Sequence, residues 1–84
     1  MNTEEALGLA LRATRQRKKW SQETLAFEAG IDRNYLSLVE LGRNSPSMKV
    51  VFKLCAALGT TPSELLKDVE KRLQAGSGAE SDAE

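Results

Sequence analysis

Three residues, Gly30-Ile31-Asp32, separate two stretches of helical periodicity, and they leave the chain little freedom in how it joins them. Gly30 stands where a helix ends on a left-handed residue, a backbone state that glycine enters without steric cost. Asp32 stands just before the next helical run, where its short carboxylate accepts from the amides of the first turn. Two helices joined by so short a turn must cross at a steep angle. The first of the pair, capped by Ser21, is predicted over residues 22–29 with Leu25 and Ala26 facing inward; the second is predicted over 33–41 with Leu36 and Val39 inward.

The rest of the sequence also favours helices, because alternating β patterns are missing while 3.6-residue periodicity recurs. The expected class is all-α, with five helices. A first helix is predicted over 3–18, with Thr3 as N-cap, Glu4 and Glu5 in the first turn and Lys18 at the end, as the helix dipole prefers. Leu7, Leu11 and Thr14 form its inward stripe, and Trp20 covers the bottom of the core. Gly42 ends the third helix, and Arg43-Asn44-Ser45-Pro46 reads as a loop. Ser47 caps a fourth helix whose expected core stripe is Met48, Val51, Phe52, Cys55 and Leu58, and Gly59 stops it. Thr61-Pro62-Ser63-Glu64 is a capping box with proline at the first helical position, and it opens a fifth helix in which Leu65, Leu66, Val69 and Leu73 repeat on one side. The expected organisation is one domain over residues 1–75 and a disordered acidic tail over 76–84, where the composition turns small, polar and acidic.

Composition removes several function classes. Histidine is absent, and with it the commonest general base and metal ligand; no C-x-x-C pair, P-loop, G-x-S-x-G elbow or G-x-G-x-x-G turn occurs. Glu4, Glu5, Asp68 and Glu70 read as solvated carboxylates on helix faces, so no enzyme, cofactor or metal centre is expected. Cys55, the only cysteine, reads as a small core residue. No apolar run approaches the roughly 20 residues of a membrane span, and the acidic start is unlike a secretory leader, so a soluble cytoplasmic protein is expected, with no membrane partner. The formal net charge is zero, but Glu80, Asp82 and Glu84 lie in the last nine residues, leaving 12 basic and 9 acidic residues before them, a net of +3. So small a surplus serves a polyanion only if it is concentrated on one face.

That face is identifiable. Leu36 and Val39 bury one side of the third helix, while Arg33, Asn34 and Ser37 lie on the other side of its N-terminal half. Arg and Asn are the side chains that pair bidentately with guanine and adenine edges in the major groove. Ser-Gln-Glu-Thr-Leu-Ala-Phe-Glu-Ala-Gly-Ile at 21–31, Arg33-Asn34-Tyr35-Leu36-Ser37, Glu40-Leu41-Gly42-Arg43-Asn44 and Pro46-Ser47 together closely resemble the Cro/CI or XRE family of helix-turn-helix DNA-binding proteins. The resemblance covers roughly residues 6–70 and implies a lambda-repressor-like domain with the helix-turn-helix at its second and third helices. It also implies that Gln22 contacts a phosphate, that Arg43 and Asn44 lie along the backbone, and that Arg15 packs beside Glu40. The run Asp-Arg-Asn-Tyr-Leu-Ser resembles the controller proteins of restriction-modification systems, which are small homodimers regulating their own operons.

Physical reasoning on the residues gives a matching division of labour. Arg33, Asn34 and Ser37 are candidates for base reading, and Leu38 either touches a thymine methyl or completes the core. Gln22, Tyr35, Arg43, Asn44, Ser47 and Lys49 are candidates for phosphate contact. Leu65, Val69 and Leu73, with Val50 and Leu54 of the fourth helix, are candidates for a homodimer interface that would set two recognition helices about 34 Å apart on a palindromic operator, one helical turn of DNA. The other reading of that stripe is that the fifth helix closes the core. No small-molecule ligand is expected, and the rival function is an antitoxin-like interaction module that grips a partner through the fifth helix or the tail.

Overall fold

In the computed structural model, which describes residues 1–75, five helices follow one another: α1 (Thr3–Arg17), α2 (Gln22–Ala29), α3 (Arg33–Glu40), α4 (Met48–Leu58) and α5 (Pro62–Ala75). No strand occurs among the described residues, and none of the described helices is long and apolar enough to cross a membrane. The tail predicted over 76–84 lies outside the described residues.

Side-chain caps set where most of these helices begin. Ser21 Oγ accepts from the Thr24 amide at 3.0 Å, Asp32 Oδ2 from Tyr35 at 3.1 Å, Ser47 Oγ from Val50 at 3.2 Å and Thr61 Oγ1 from Glu64 at 3.1 Å, each satisfying an amide that has no partner inside its helix. Helix α1 differs from expectation. Its N-cap is Asn2, not Thr3: Asn2 Oδ1 accepts from the Glu5 amide at 2.8 Å and the Asn2 amide donates to Glu5 Oε1 at 3.0 Å, a complete capping box. The C-terminal ends of α1 to α4 close by a shared device, seen at Gly30, where the Ile31 amide donates back to Ala26 O at 3.0 Å and the Gly30 amide to Phe27 O at 3.2 Å. The end of α1 uses the same closure with Lys19 at φ 62° in the left-handed position, and the Trp20 amide donates to Arg15 O at 3.2 Å.

Packing places α1 against both α3 and α5, α2 against α3 and α4, and α4 against α5. Leu11, Leu25, Leu36, Val39, Leu54 and Cys55 are fully buried at the centre. The crossing of α1 over α3 is set by Gly8, where a Cβ would come within 2.6 Å of the Val39 carbonyl oxygen and still closer to that of Glu40. Gly42 presses the loop after α3 onto the first turn of α1, where a Cβ would meet Glu5 Cα at 2.9 Å. Burial of the Cys55 thiol pushes its pKa up, which keeps the sulfur a neutral core group.

Two expected stripes are shifted. On α1 the buried residues are Ala6, Gly8, Ala10, Leu11 and Arg15, with Leu7 half-buried at the margin and Thr14 donating its hydroxyl to Ala10 O at 2.9 Å. On α4 the buried line is Val51, Leu54, Cys55 and Leu58, while Met48 and Phe52 are 60% and 57% exposed. Burial also counts against part of the dimer assignment: Leu54, Leu65 and Val69, at 0%, 2% and 4% exposure, are enclosed by this chain's own core and present almost nothing to a partner. Val50 and Leu73 are half-buried at the edge of that core. The reading in which α5 closes the core therefore accounts for Leu65 and Val69.

Candidate nucleic-acid interface

The short α3 is oriented by what it buries and by how its last residue is held. Leu36 and Val39 are fully enclosed, which turns Arg33 and Asn34 outward on the first turn, with Ser37 one turn further on and half-buried. Leu38 is 38% exposed, so the alternative in which it completes the core does not hold. Tyr35 is half-buried and its ring packs against the core, a different setting from that of Arg33 and Asn34. Eight residues of helix span about 12 Å, close to the width of a B-DNA major groove.

At the opposite end of α3, Glu40 is buried and collects hydrogen bonds from two helices, α1 and α2. Arg15 Nε donates to Glu40 Oε2 at 2.8 Å and Arg15 Nη2 to Glu40 Oε1 at 2.9 Å, a bidentate pair whose side chains are 11% and 2% exposed. Arg15 Nη1 donates to Trp20 O at 2.9 Å, tying in the turn between α1 and α2. Gln22 Nε2 donates to Glu40 Oε1 at 2.9 Å. The hydrogen bond to Glu40 raises the Arg15 pKa further, so the guanidinium stays charged against the cost of burial. The ion pair expected between Arg15 and Glu40 is thus present, and it does more than was read from the sequence, since it also joins Gln22 and the Trp20 carbonyl. Lys18 Nζ sits 4.6 Å from the centroid of the Trp20 ring, covering the same turn.

The remaining candidates flank this junction. The Arg43 amide donates to Leu38 O at 2.9 Å, which fixes the start of the loop after α3, and Arg43 itself is exposed. Asn44 is half-buried; Ser47 and Lys49 are exposed, with the Ser47 hydroxyl occupied as an acceptor in its own cap. Gln22, through its bond to Glu40, and Arg43 and Asn44, which follow α3 directly, therefore lie near the C-terminal end of α3, while Arg33 and Asn34 occupy its N-terminal end. What sequence reasoning missed was Gly8, although an isolated glycine inside a helix costs about 1 kcal/mol relative to alanine and so signals a close approach.

The decisive comparison is with the helix-turn-helix family model, which matches residues 11–65, from the middle of α1 into α5. The chain belongs to the XRE-type helix-turn-helix family. Among related proteins, a Neisseria meningitidis protein described as a hypothetical transcription factor is 40% identical over 68 residues, covering 81% of this chain and 64% of that protein, so the match spans less than two thirds of the relative. The crystal structure of the restriction-modification controller protein C.AhdI from Aeromonas hydrophila superposes with a TM-score of 0.71 at 44% identity, covering 73% of this chain and 92% of that one. The clp gene regulator ClgR from Corynebacterium glutamicum gives a TM-score of 0.81 at 35% identity, covering 87% of this chain and 80% of that one. The helix-turn-helix proper is α2, the turn through Asp32, and α3.

Proposed function

We propose that the chain binds duplex DNA sequence-specifically as a small transcriptional regulator, with α3 in the major groove. The observation that carries this reading is the outward-facing Arg33 and Asn34 on a helix whose other side is fully buried, within a helix-turn-helix match. Arg33, Asn34, Ser37 and Leu38 read base edges, the Leu38 side chain against a thymine methyl. Gln22, Arg43, Asn44, Ser47 and Lys49 contact phosphates, with Tyr35 at the margin of this set, and position the reader without carrying sequence information. Control of a restriction-modification operon is the favoured setting, supported by the 44% identity to a controller protein.

The modest net charge argues for two copies acting together on a palindromic site. With Leu54, Leu65 and Val69 enclosed, the apolar surface left for a second copy on α4 and α5 includes Met48, Val50, Phe52, Leu66 and Leu73. Selection of bound duplexes from a random pool tests the whole reading. The expected product is a palindrome, and Arg33→Ala or Asn34→Ala should weaken binding to it by roughly 1–3 kcal/mol and relax the preference at a defined base pair. Arg43→Ala should instead weaken all duplexes alike and lower the salt slope by about one. A pool that shows no enrichment, or α3 variants that keep full discrimination, would sink the proposal.

A further inference from the structure

We infer that Glu40 is a positioning residue for DNA binding: its carboxylate, held by Arg15, fixes the side-chain amide of Gln22 in the orientation that offers a proton to a backbone phosphate. The inference rests on the proposed function and assigns a task to a residue that touches no DNA itself.

The chemistry follows from what Glu40 accepts. An ionised carboxylate has no proton to give, so a glutamine beside it must present nitrogen and not oxygen. Gln22 does so, with Nε2 2.9 Å from Glu40 Oε1. The nitrogen carries two N–H donors, and Glu40 accepts from one, leaving the other free to donate from a half-buried side chain at the first turn of α2. Without Glu40, the amide at this position has no fixed orientation, and its oxygen, which a phosphate repels, is presented as readily as its nitrogen. An unaccompanied anion so close to the backbone would oppose binding. Arg15 cancels that charge through two hydrogen bonds, at 2.8 and 2.9 Å, and is itself fixed by Trp20 O, so the carboxylate orients Gln22 without adding net negative charge. The rotamer of a flexible side chain is thereby selected before DNA arrives, which removes an ordering cost from association.

The test is a double-mutant cycle on operator binding, with folding measured separately by thermal melts. Gln22→Met keeps the side chain's length, removes only the amide and leaves the Arg15–Glu40 pair in place. Glu40→Gln keeps the shape and removes the charge that dictates which atom Gln22 presents. Each is expected to weaken operator binding about fivefold at a temperature where both remain folded, and the double variant is expected to bind no more weakly than either one, because the two changes disable one contact. Independent effects that multiply to about twenty-five-fold overturn the inference, as does wild-type affinity in folded Glu40→Gln. Should Glu40→Gln fail to fold, relaxation of the Gln22 side-chain amide by NMR in the free wild-type protein decides the matter: backbone-like rigidity is expected, and a freely rotating amide overturns it. Wild-type protein that binds no duplex would remove the proposed function itself, whereas normal wild-type binding with an unaltered Glu40→Gln removes only the role given to Glu40.

Discussion

The seam between α1 and α3 and the packing of α4 against α5 hold the same small domain by different means. At the seam, Gly8 and Gly42 bring backbones together where a single Cβ would collide, and the Arg15–Glu40 pair crosses the junction with directed, buried hydrogen bonds. On α4 and α5 the buried side chains are all apolar, Val51, Leu54, Cys55, Leu58, Leu65 and Val69, and further apolar side chains, Met48, Phe52 and Leu66, are left exposed. Apolar burial supplies free energy but little direction, whereas charge pairs and steric limits specify geometry. Helix α3, the proposed reading element, lies on the seam. The arrangement places geometric control at the helix proposed to meet bases and leaves α4 and α5 to packing.

Replacing one member of the seam's ion pair should give the largest effect. Glu40→Ala leaves the Arg15 guanidinium buried without its counter-charge and should cost roughly 3–5 kcal/mol in urea denaturation, while the double change Arg15→Met with Glu40→Leu should recover much of that loss. A single-variant cost below about 1 kcal/mol would mean the pair behaves as a surface one, and the contrast between the two regions would collapse. On the apolar side, Leu54→Ala should cost roughly 2–5 kcal/mol, since the fully buried side chain leaves a cavity that its neighbours fill only in part. A negligible loss in the same assay would indicate that Leu54 is a surface residue after all.

Gly8→Ala sharpens the comparison because local and tertiary effects have opposite signs. Alanine is the better helix former by up to about 1 kcal/mol, yet its Cβ would lie within 2.6 Å of the Val39 carbonyl oxygen, and backbone cannot step aside as a flexible side chain can. A net loss of roughly 1–3 kcal/mol is expected, and a more stable variant in thermal melts would show that the seam can open without penalty.

How much of this was legible beforehand follows the same division. Caps are local, so Ser21, Asp32, Ser47 and Thr61 were readable, and so was the turn at Gly30. Asn2 was overlooked because Asn2 and Thr3 are both competent caps and only the completed box with Glu5 decides between them. Periodicity shows which residues share a line along a helix. It does not say which line faces inward when two adjacent lines are apolar, and on α4 the Met48–Phe52 line competed with Leu54. On α1 the inward line is made of Ala6, Gly8 and Ala10, whose small size is needed for close crossing and gives almost no hydropathic signal. In the site, the polar face of α3 was legible from Arg33, Asn34 and Ser37. The bond from Gln22 to Glu40 spans 18 residues and depends on a crossing that no local pattern encodes.

The smallest expected effect concerns the two turns that flank α2, where equivalent positions carry opposite residues. Lys19 holds φ 62° and Gly30 holds φ 73°, both closing a helix in the left-handed region. A side-chain-bearing residue pays about 1–2 kcal/mol there, and glycine avoids that strain at the expense of about 0.5–1 kcal/mol through its more flexible unfolded chain. Lys19 is exposed, so Lys19→Gly should remove strain without removing packing, for a net gain of roughly 0.5–1 kcal/mol, or about 2–8 °C in Tm for a domain of this size. Gly30→Ala is the mirror experiment. Nothing lies within 4 Å of the Cβ it would add, so any loss there reports backbone conformation alone, and it should be of similar size and opposite sign. If Lys19→Gly lowers Tm while Gly30→Ala behaves as expected, the lysine must contribute a contact that outweighs its strain, and the Lys18–Trp20 stack beside it would be the first place to look.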